Sequence, residues 1–195
     1  MTVLDRRARE RQRRERLIVT TARELAEAEG WDAVTTRRLA EAIEYSQPVL
    51  YSHFSGKDSI VRAVALEGFS ELAAKLRDAR RAARSPRPAL LALARAYLEF
   101  AHTQPALYDA MFTLAEIPFA KPDTPASLHE GFAELLQAVA PFAPARNVET
   151  LAEVVWSTLH GLATLSRSQR LRPDHAEQRL ALLVRTAPTS GRHAP

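Results

Sequence analysis

Apolar residues recur at three- and four-residue steps along almost the whole chain, and no apolar–polar alternation bounded by turns marks a strand. A chain patterned this way can bury its apolar stripes only by packing helix against helix, so an all-α fold is expected. With 195 residues, 46% of them apolar and 26% charged, there is enough material for a real core, either one body or a small head on a larger one. Six glycines and twelve prolines supply the punctuation.

The first sixteen residues are dense in arginine, and either a helix start or a flexible basic arm (residues 1–12) fits them. From Leu17 an apolar stripe runs through Ile18, Ala22, Leu25 and Ala28 and stops at Gly30, a helix terminator. Thr35 and Thr36 can cap a second helix with Leu39, Ala40 and Ile43 on its apolar side. After a break at Glu44, Tyr45 and Ser46, a third helix carries Val49, Leu50 and Tyr51, with Pro48 in its first turn, where a missing N–H costs little. A long helix follows from Asp58. Ser85-Pro86-Arg87-Pro88 should break it, and further helices are expected from about 89 to 102, from 104, over 127–140, over 148–171 and from 173 to about 185. Residues 117–125, with three prolines, read as a loop, and 187–195 as a disordered tail. The domains implied are 1–60, 61–186 and that tail.

Three short helices with a tight turn between the second and third outline a helix-turn-helix, a reader of the DNA major groove. The residues that fill it are specific. Thr36-Arg37-Arg38-Leu39-Ala40, then Ser46, then Leu50-Tyr51-Ser52-His53-Phe54-Ser55-Gly56-Lys57 resemble the signature of the TetR/AcrR family of bacterial transcription regulators over about the first 65 residues. Two positions depart from it: Glu44 stands where the family usually has Gly in the turn, and Pro48 where it often has Gly in the third helix. Gly normally supplies a left-handed backbone in that turn, which Glu44 opposes.

On geometry, the N-terminal residues of the third helix face base edges: Gln47 suits adenine and Val49 a thymine methyl. The resemblance implies phosphate contacts for Thr36, Tyr51 and Lys57, and Ser46 belongs to the same set. Arg37 and Arg38 can reach phosphates or a groove edge, and His53 suits either a backbone contact or an intradomain hydrogen bond. Leu39, Ala40, Leu50 and Phe54 read as core.

In the second half, Trp156, His160 and Gly161 resemble the WHG type of C-terminal domain found in some TetR-like regulators. Tyr97, Phe100, Met111, Phe112, Phe119, Trp156 and His160 are pocket candidates, each of which also suits ordinary packing. The resemblance implies a homodimer in which two late helices pair with their twins, here 127–140 and 148–171, with Phe132, Leu135, Val139, Val155, Leu159 and Leu162 at the interface and Gly161 permitting close approach.

Charge and composition narrow the function. A net charge of +4 and a pI of about 9.8 suit an anionic partner. The chain has no cysteine, and no H-E-x-x-H, Gly-rich phosphate loop or shielded carboxylate pair, so no metal, cofactor or catalytic site is expected. No apolar run has the length of a membrane span, and no signal peptide is evident, so the cytoplasm is the expected location. The leading expectation is a ligand-responsive repressor that binds duplex DNA and a small molecule of unknown identity. A helical protein-interaction adaptor, or a small helical enzyme using Ser157 and His160, are the alternatives.

Overall fold

In the computed structural model the backbone is described for residues 3–118, 124–186. Among these every regular element is helical. The elements are α1 (Val3–Glu29), a short 3-10 turn (Trp31–Ala33), α2 (Thr36–Ala42), α3 (Gln47–Tyr51), α4 (Lys57–Ala82), α5 (Pro86–Thr103), α6 (Pro105–Asp109) running into a π-helical turn (Ala110–Leu114), α7 (Ala126–Val139), α8 (Val148–Arg167) and α9 (Ala176–Thr186). Phe119 and the tail 187–195 lie outside the described residues.

Two boundaries differ from the sequence reading and one open alternative is decided, each for a local reason. The arginine-rich start is not an arm from residue 3 onward: it is the first part of α1, supported by i,i+4 pairs Arg11–Glu15 (2.9 Å) and Arg14–Glu10 (3.2 Å). The fifth helix begins at Pro86 rather than after Pro88, because a proline in the first turn has no intrahelical N–H bond to lose. The long helix α8 stops at Arg167, short of residue 171. There Gln169 takes a left-handed φ of 56°, with Gln169 N–H donating to Ser166 O (3.0 Å) and Arg170 N–H to Leu165 O (2.9 Å). That pair of bonds is the Schellman closure, which satisfies the last carbonyls of a helix.

The chain divides into two compact units, one from residues 1–68 and 104–122, the other from 69–103 and 123–195. In the first, Ile18, Val19, Ala22, Leu39, Leu50 and Ile60 are buried among α1 to α4. The segment after α5 belongs to this unit. Trp31 Nε1–H donates to Ala106 O (2.7 Å), and the Glu27 carboxylate accepts from Ala106 N–H (3.1 Å) and Leu107 N–H (2.9 Å), capping α6 from α1. The Arg23 guanidinium donates to the Gln104 side chain on the same edge. Gly68 of α4 lets Leu107 and Met111 come so close that an added Cβ would lie 2.7 Å from the Met111 sulfur.

In the second unit the buried set includes Leu76, Leu93, Tyr97, Phe100, Leu135 and Leu159. Its one buried carboxylate among the described residues, Glu134 on α7, is held by two arginines of α4, Arg77 (3.0 Å) and Arg80 (2.7 Å). Removing that carboxylate would strand the partly buried Arg80 guanidinium, while Arg77 keeps Glu130 at 3.9 Å, a cost of about 3–5 kcal/mol for a broken buried pair.

Candidate nucleic-acid interface

The turn that presents α3 is made by backbone rather than by glycine. Thr35 caps α2, its hydroxyl accepting from Arg38 N–H (3.2 Å). At the other end Glu44 N–H donates to Glu41 O (3.2 Å) and Tyr45 N–H to Ala40 O (2.9 Å), the same closure as at the end of α8. It requires a left-handed residue, and Glu44 supplies it with φ 57°. The expected conflict at Glu44 is thus resolved in favour of the turn: the backbone adopts the left-handed position and carries the strain.

Ser46 is the N-cap residue of α3 in position, without a side-chain capping bond, and Pro48 lies in the first turn. Leu50 is fully buried and pins the helix inward, which leaves Ser46, Gln47, Pro48, Tyr51 and Ser52 exposed and Val49 half-buried. Tyr51 is 51% exposed, large for an aromatic ring, and its hydroxyl lies 3.3 Å from the Thr36 hydroxyl. Two of the residues expected to hold phosphate thus meet across α2 and α3 as a pair of O–H groups.

The other expected contacts divide in two. Arg37 is exposed beside this face and paired with Glu41 one turn on (2.9 Å), which holds its guanidinium above the usual arginine range. Arg38, His53 and Lys57 are instead engaged within the unit. Arg38 grips Glu29 with two nitrogens (2.8 and 2.9 Å) and also donates to Ala33 O, and the Glu29 carboxyl is held below its ordinary range by that bond. The His53 ring is nearly buried, with Nδ1 3.5 Å from Glu15 of α1. The Lys57 ammonium donates to Trp31 O. Sequence reasoning missed Glu29 and Glu15 as partners; they lie 9 and 38 residues away, outside any helical period. It also missed Pro48 and Ser52 as exposed members of the α3 face, which an assignment of Leu50 to the core would have indicated.

The candidate pocket residues are shared between the units. In the first, Met111 is buried against Gly68, and the Phe112 ring meets that of Tyr108 tilted by 46° (4.6 Å between ring centroids). In the second, Tyr97 and Phe100 are buried on α5, with the Lys75 ammonium 5.7 Å from the Phe100 ring centroid. Trp156 is half-buried and meets Phe132 edge-on at 6.3 Å. His160, one turn along α8, has its pKa lowered because burial disfavours the charged ring.

The dimer-face expectation needs correction. Leu135, Val139, Val155 and Leu159 are 0–3% exposed within the single chain and have no surface left for a partner. Of the six residues expected there, Phe132 and Leu162 keep partial exposure. α8 carries two apolar stripes about a third of a turn apart. One, at Ala152, Val155, Leu159 and Ala163, is buried in its own unit. The other, at Leu151, Val154, Thr158, Gly161 and Leu165, faces outward, with Val154 56% and Leu165 38% exposed and nothing within 4 Å of a Cβ added at Gly161. A groove of about 490 Å³ lined by Ala143, Pro144, Asn147, Thr150, Leu151 and Val154 lies at the start of this outward stripe.

A short exposed helix held by a backbone-closed turn on a three-helix frame, joined to a helical body, defines a helix-turn-helix DNA-binding regulator. Residues 18–64 match the profile described as bacterial regulatory proteins, tetR family, and residues 90–187 match a tetracyclin repressor-like C-terminal domain, within which Trp156, His160 and Gly161 fall. The second match covers half of the chain, and the chain belongs to the TetR family of transcriptional regulators; it is not an enzyme. It is 32% identical over 96 residues to the uncharacterized HTH-type transcriptional regulator YobS of Bacillus subtilis, a stretch covering 49% of this chain and 50% of YobS. It is 28% identical over 149 residues to the uncharacterized HTH-type regulator Rv0681 of Mycobacterium tuberculosis, 76% of this chain and 67% of that one. The chain thus spans half to two thirds of the length of these curated relatives. A solved structure of a protein of unknown function from Rhodococcus sp. RHA1 superposes with a TM-score of 0.75 at 26% identity, covering 88% of this chain and 92% of that one. No helix among the described residues is long and apolar enough to cross a membrane.

Proposed function

We propose that this regulator is a ligand-responsive repressor, acting in the cytoplasm as a homodimer on a palindromic operator. The observation that carries the reading is the pairing of an exposed reading face on α3 with an uncharged, outward apolar stripe on α8. A reader of five residues offers few base contacts, and specificity from so small an element requires two copies on one duplex. The α8 stripe at Leu151, Val154, Thr158, Gly161 and Leu165 repeats at three- and four-residue steps, the spacing of a helix-pairing seam. Water on such a seam is unfavourable, and a second copy offers an identical face under twofold symmetry.

In this reading Gln47 and Val49 read bases, while Ser46, Thr36, Tyr51 and Arg37 position the helix on phosphates. Arg38, His53 and Lys57 hold the reading frame through Glu29, Glu15 and Trp31. Trp156 and His160, half-buried on α8, supply an apolar ring and a polar ring for a small ligand, whereas Tyr97 and Phe100, at 0–1% exposure, are core. The description of the C-terminal match, a tetracyclin repressor-like domain, supports both the repressor and the ligand assignment. Ligand acts by binding better to a state whose two heads no longer match the groove spacing.

The test is selection of bound duplexes from a randomised library at near-physiological salt, with the oligomeric state measured by sedimentation. The expected result is a dimer and a palindromic motif whose half-sites lie about one helical turn apart. Val154→Glu should yield monomers and lose the palindromic motif. A wild-type protein that stays monomeric, or enriches no motif, would overturn the reading.

A further inference from the structure

The arginine-rich start of α1 takes no part in the reading helix or the body, and its charge is out of proportion to its length. Residues 3–17 contain seven arginines and three acids, a net charge of +4. The whole chain has 27 basic and 23 acidic residues, also +4, so the other twenty basic and twenty acidic residues cancel. The entire positive excess of the protein sits on four turns of one helix.

The structure gives this segment a definite place. Arg14 lies over the Tyr45 ring, 6.0 Å from its centroid, just before α3 begins, and Glu15 meets His53 just after α3 ends. α1 is thus tied beside both flanks of the reading helix at residues 14–15. Residues 3–13 continue beyond that anchor as helix for about 17 Å, equivalent to about five base-pair steps. Every side chain from Asp5 to Arg13 is exposed. Within the segment Arg11 is paired with Glu15 and Arg14 with Glu10, but Arg6, Arg7, Arg13 and Arg16 have neither hydrogen bond nor ion pair among the described residues.

We propose that residues 3–17 of α1 form a second DNA-contacting surface, a basic helix that binds backbone phosphates flanking the stretch read by α3. The proposal rests on the DNA-binding reading above and adds a surface to it. Unpartnered guanidinium groups on a rigid helix repel one another and gain most from a polyanion of regular charge spacing. A duplex backbone is such a polyanion, and contacts to it are independent of base sequence. A membrane surface is excluded by the lack of an apolar face: residues 5–16 contain no apolar side chain larger than Ala8.

The test compares wild type with the variant in which Arg6, Arg7, Arg13 and Arg16 are all changed to Gln, on the operator selected for the wild type. Affinity is measured across a salt series and the contacted backbone is mapped by hydroxyl-radical footprinting. Each lost phosphate contact lowers the slope of log K against log salt by about 0.9, so four lost contacts lower it by about 3.6 per protomer. The expected result is a slope reduced by at least about 2 per protomer, a footprint that retracts at the flanks, and an unchanged selected motif. Circular dichroism checks that the variant stays helical. As a second reading that needs no variant, trimming the operator's flanking base pairs should weaken wild-type binding. Unchanged slope and footprint, or indifference of the wild type to trimming, would overturn the proposal while leaving the regulator reading intact. A wild-type protein that binds no duplex at all would overturn both.

Discussion

Changing Glu44 to Gly should make the protein more stable, although it removes a charged side chain from a position next to the DNA reader. The magnitude follows from the turn. Glu44 holds φ 57°, where a side chain with a Cβ costs about 1–2 kcal/mol relative to right-handed backbone. Glycine removes that cost but adds freedom to the unfolded chain, returning about 0.5–1 kcal/mol of it. The side chain is exposed and makes no hydrogen bond or ion pair among the described residues, so nothing else is lost, and the two closing bonds from Glu44 and Tyr45 N–H are backbone bonds that survive. The net expectation is stabilisation by about 0.5–1 kcal/mol, a rise in Tm of about 1–4 °C for a chain of this size. Thermal unfolding of Glu44→Gly beside Glu44→Ala and Glu44→Val is the assay. Alanine keeps the Cβ and should give no gain, and valine, branched at Cβ, should lose stability. If glycine and alanine behave alike, the left-handed strain is not what the turn carries and the argument fails. The same substitution at Gln169, φ 56°, provides an independent repeat away from the DNA reader.

Two further outcomes follow from packing and titration. Gly68→Ala should cost about 1–3 kcal/mol by overpacking, read as a lowered urea midpoint, because the new methyl would sit 2.7 Å from the Met111 sulfur and 2.8 Å from a Leu107 methyl; introduced into Met111→Ala, the same change should cost less than it does in the wild type, and an equal cost in both would place the strain elsewhere. His160 is held neutral by burial, so its pKa in the folded chain lies below the unfolded value of about 6.5; the unfolded chain then takes up the extra proton, and stability falls as pH drops from about 6.5 toward the folded pKa. His160→Gln should flatten that part of the pH–Tm curve, and a curve of unchanged shape would show that the ring is solvated in both states.

Much of the reader was legible because it is local. The cap at Thr35, the break at Glu44 to Ser46 and the apolar spacing of Leu39, Ala40 and Leu50 all lie within twenty residues, and each is a short-range backbone requirement written into residue type. Gln47 and Tyr51 are exposed on α3, and Thr36 is half-buried at the start of α2. Arg38 and Lys57 were not legible in the same way. An arginine or lysine in a basic stretch looks the same in sequence whether it faces a phosphate or, as here, Glu29 and the Trp31 carbonyl.

What the sequence by itself determined is the approximate placement of the helices and the identity of the reading element, since helical period, caps and turn residues act over a few neighbours. The tertiary structure alone decided which apolar surface is spent. α8 has two stripes that periodicity treats alike, and packing buried Val155 and Leu159 while leaving Val154 and Leu165 in water. It decided equally that residues 104–114 pack with α1 through Glu27, with α4 at Gly68 and with the turn at Trp31, whose bond to Ala106 spans 75 residues of chain. Burial is a property of what lies opposite a side chain, and for these residues the opposite surface comes from distant sequence that leaves no trace in the local period.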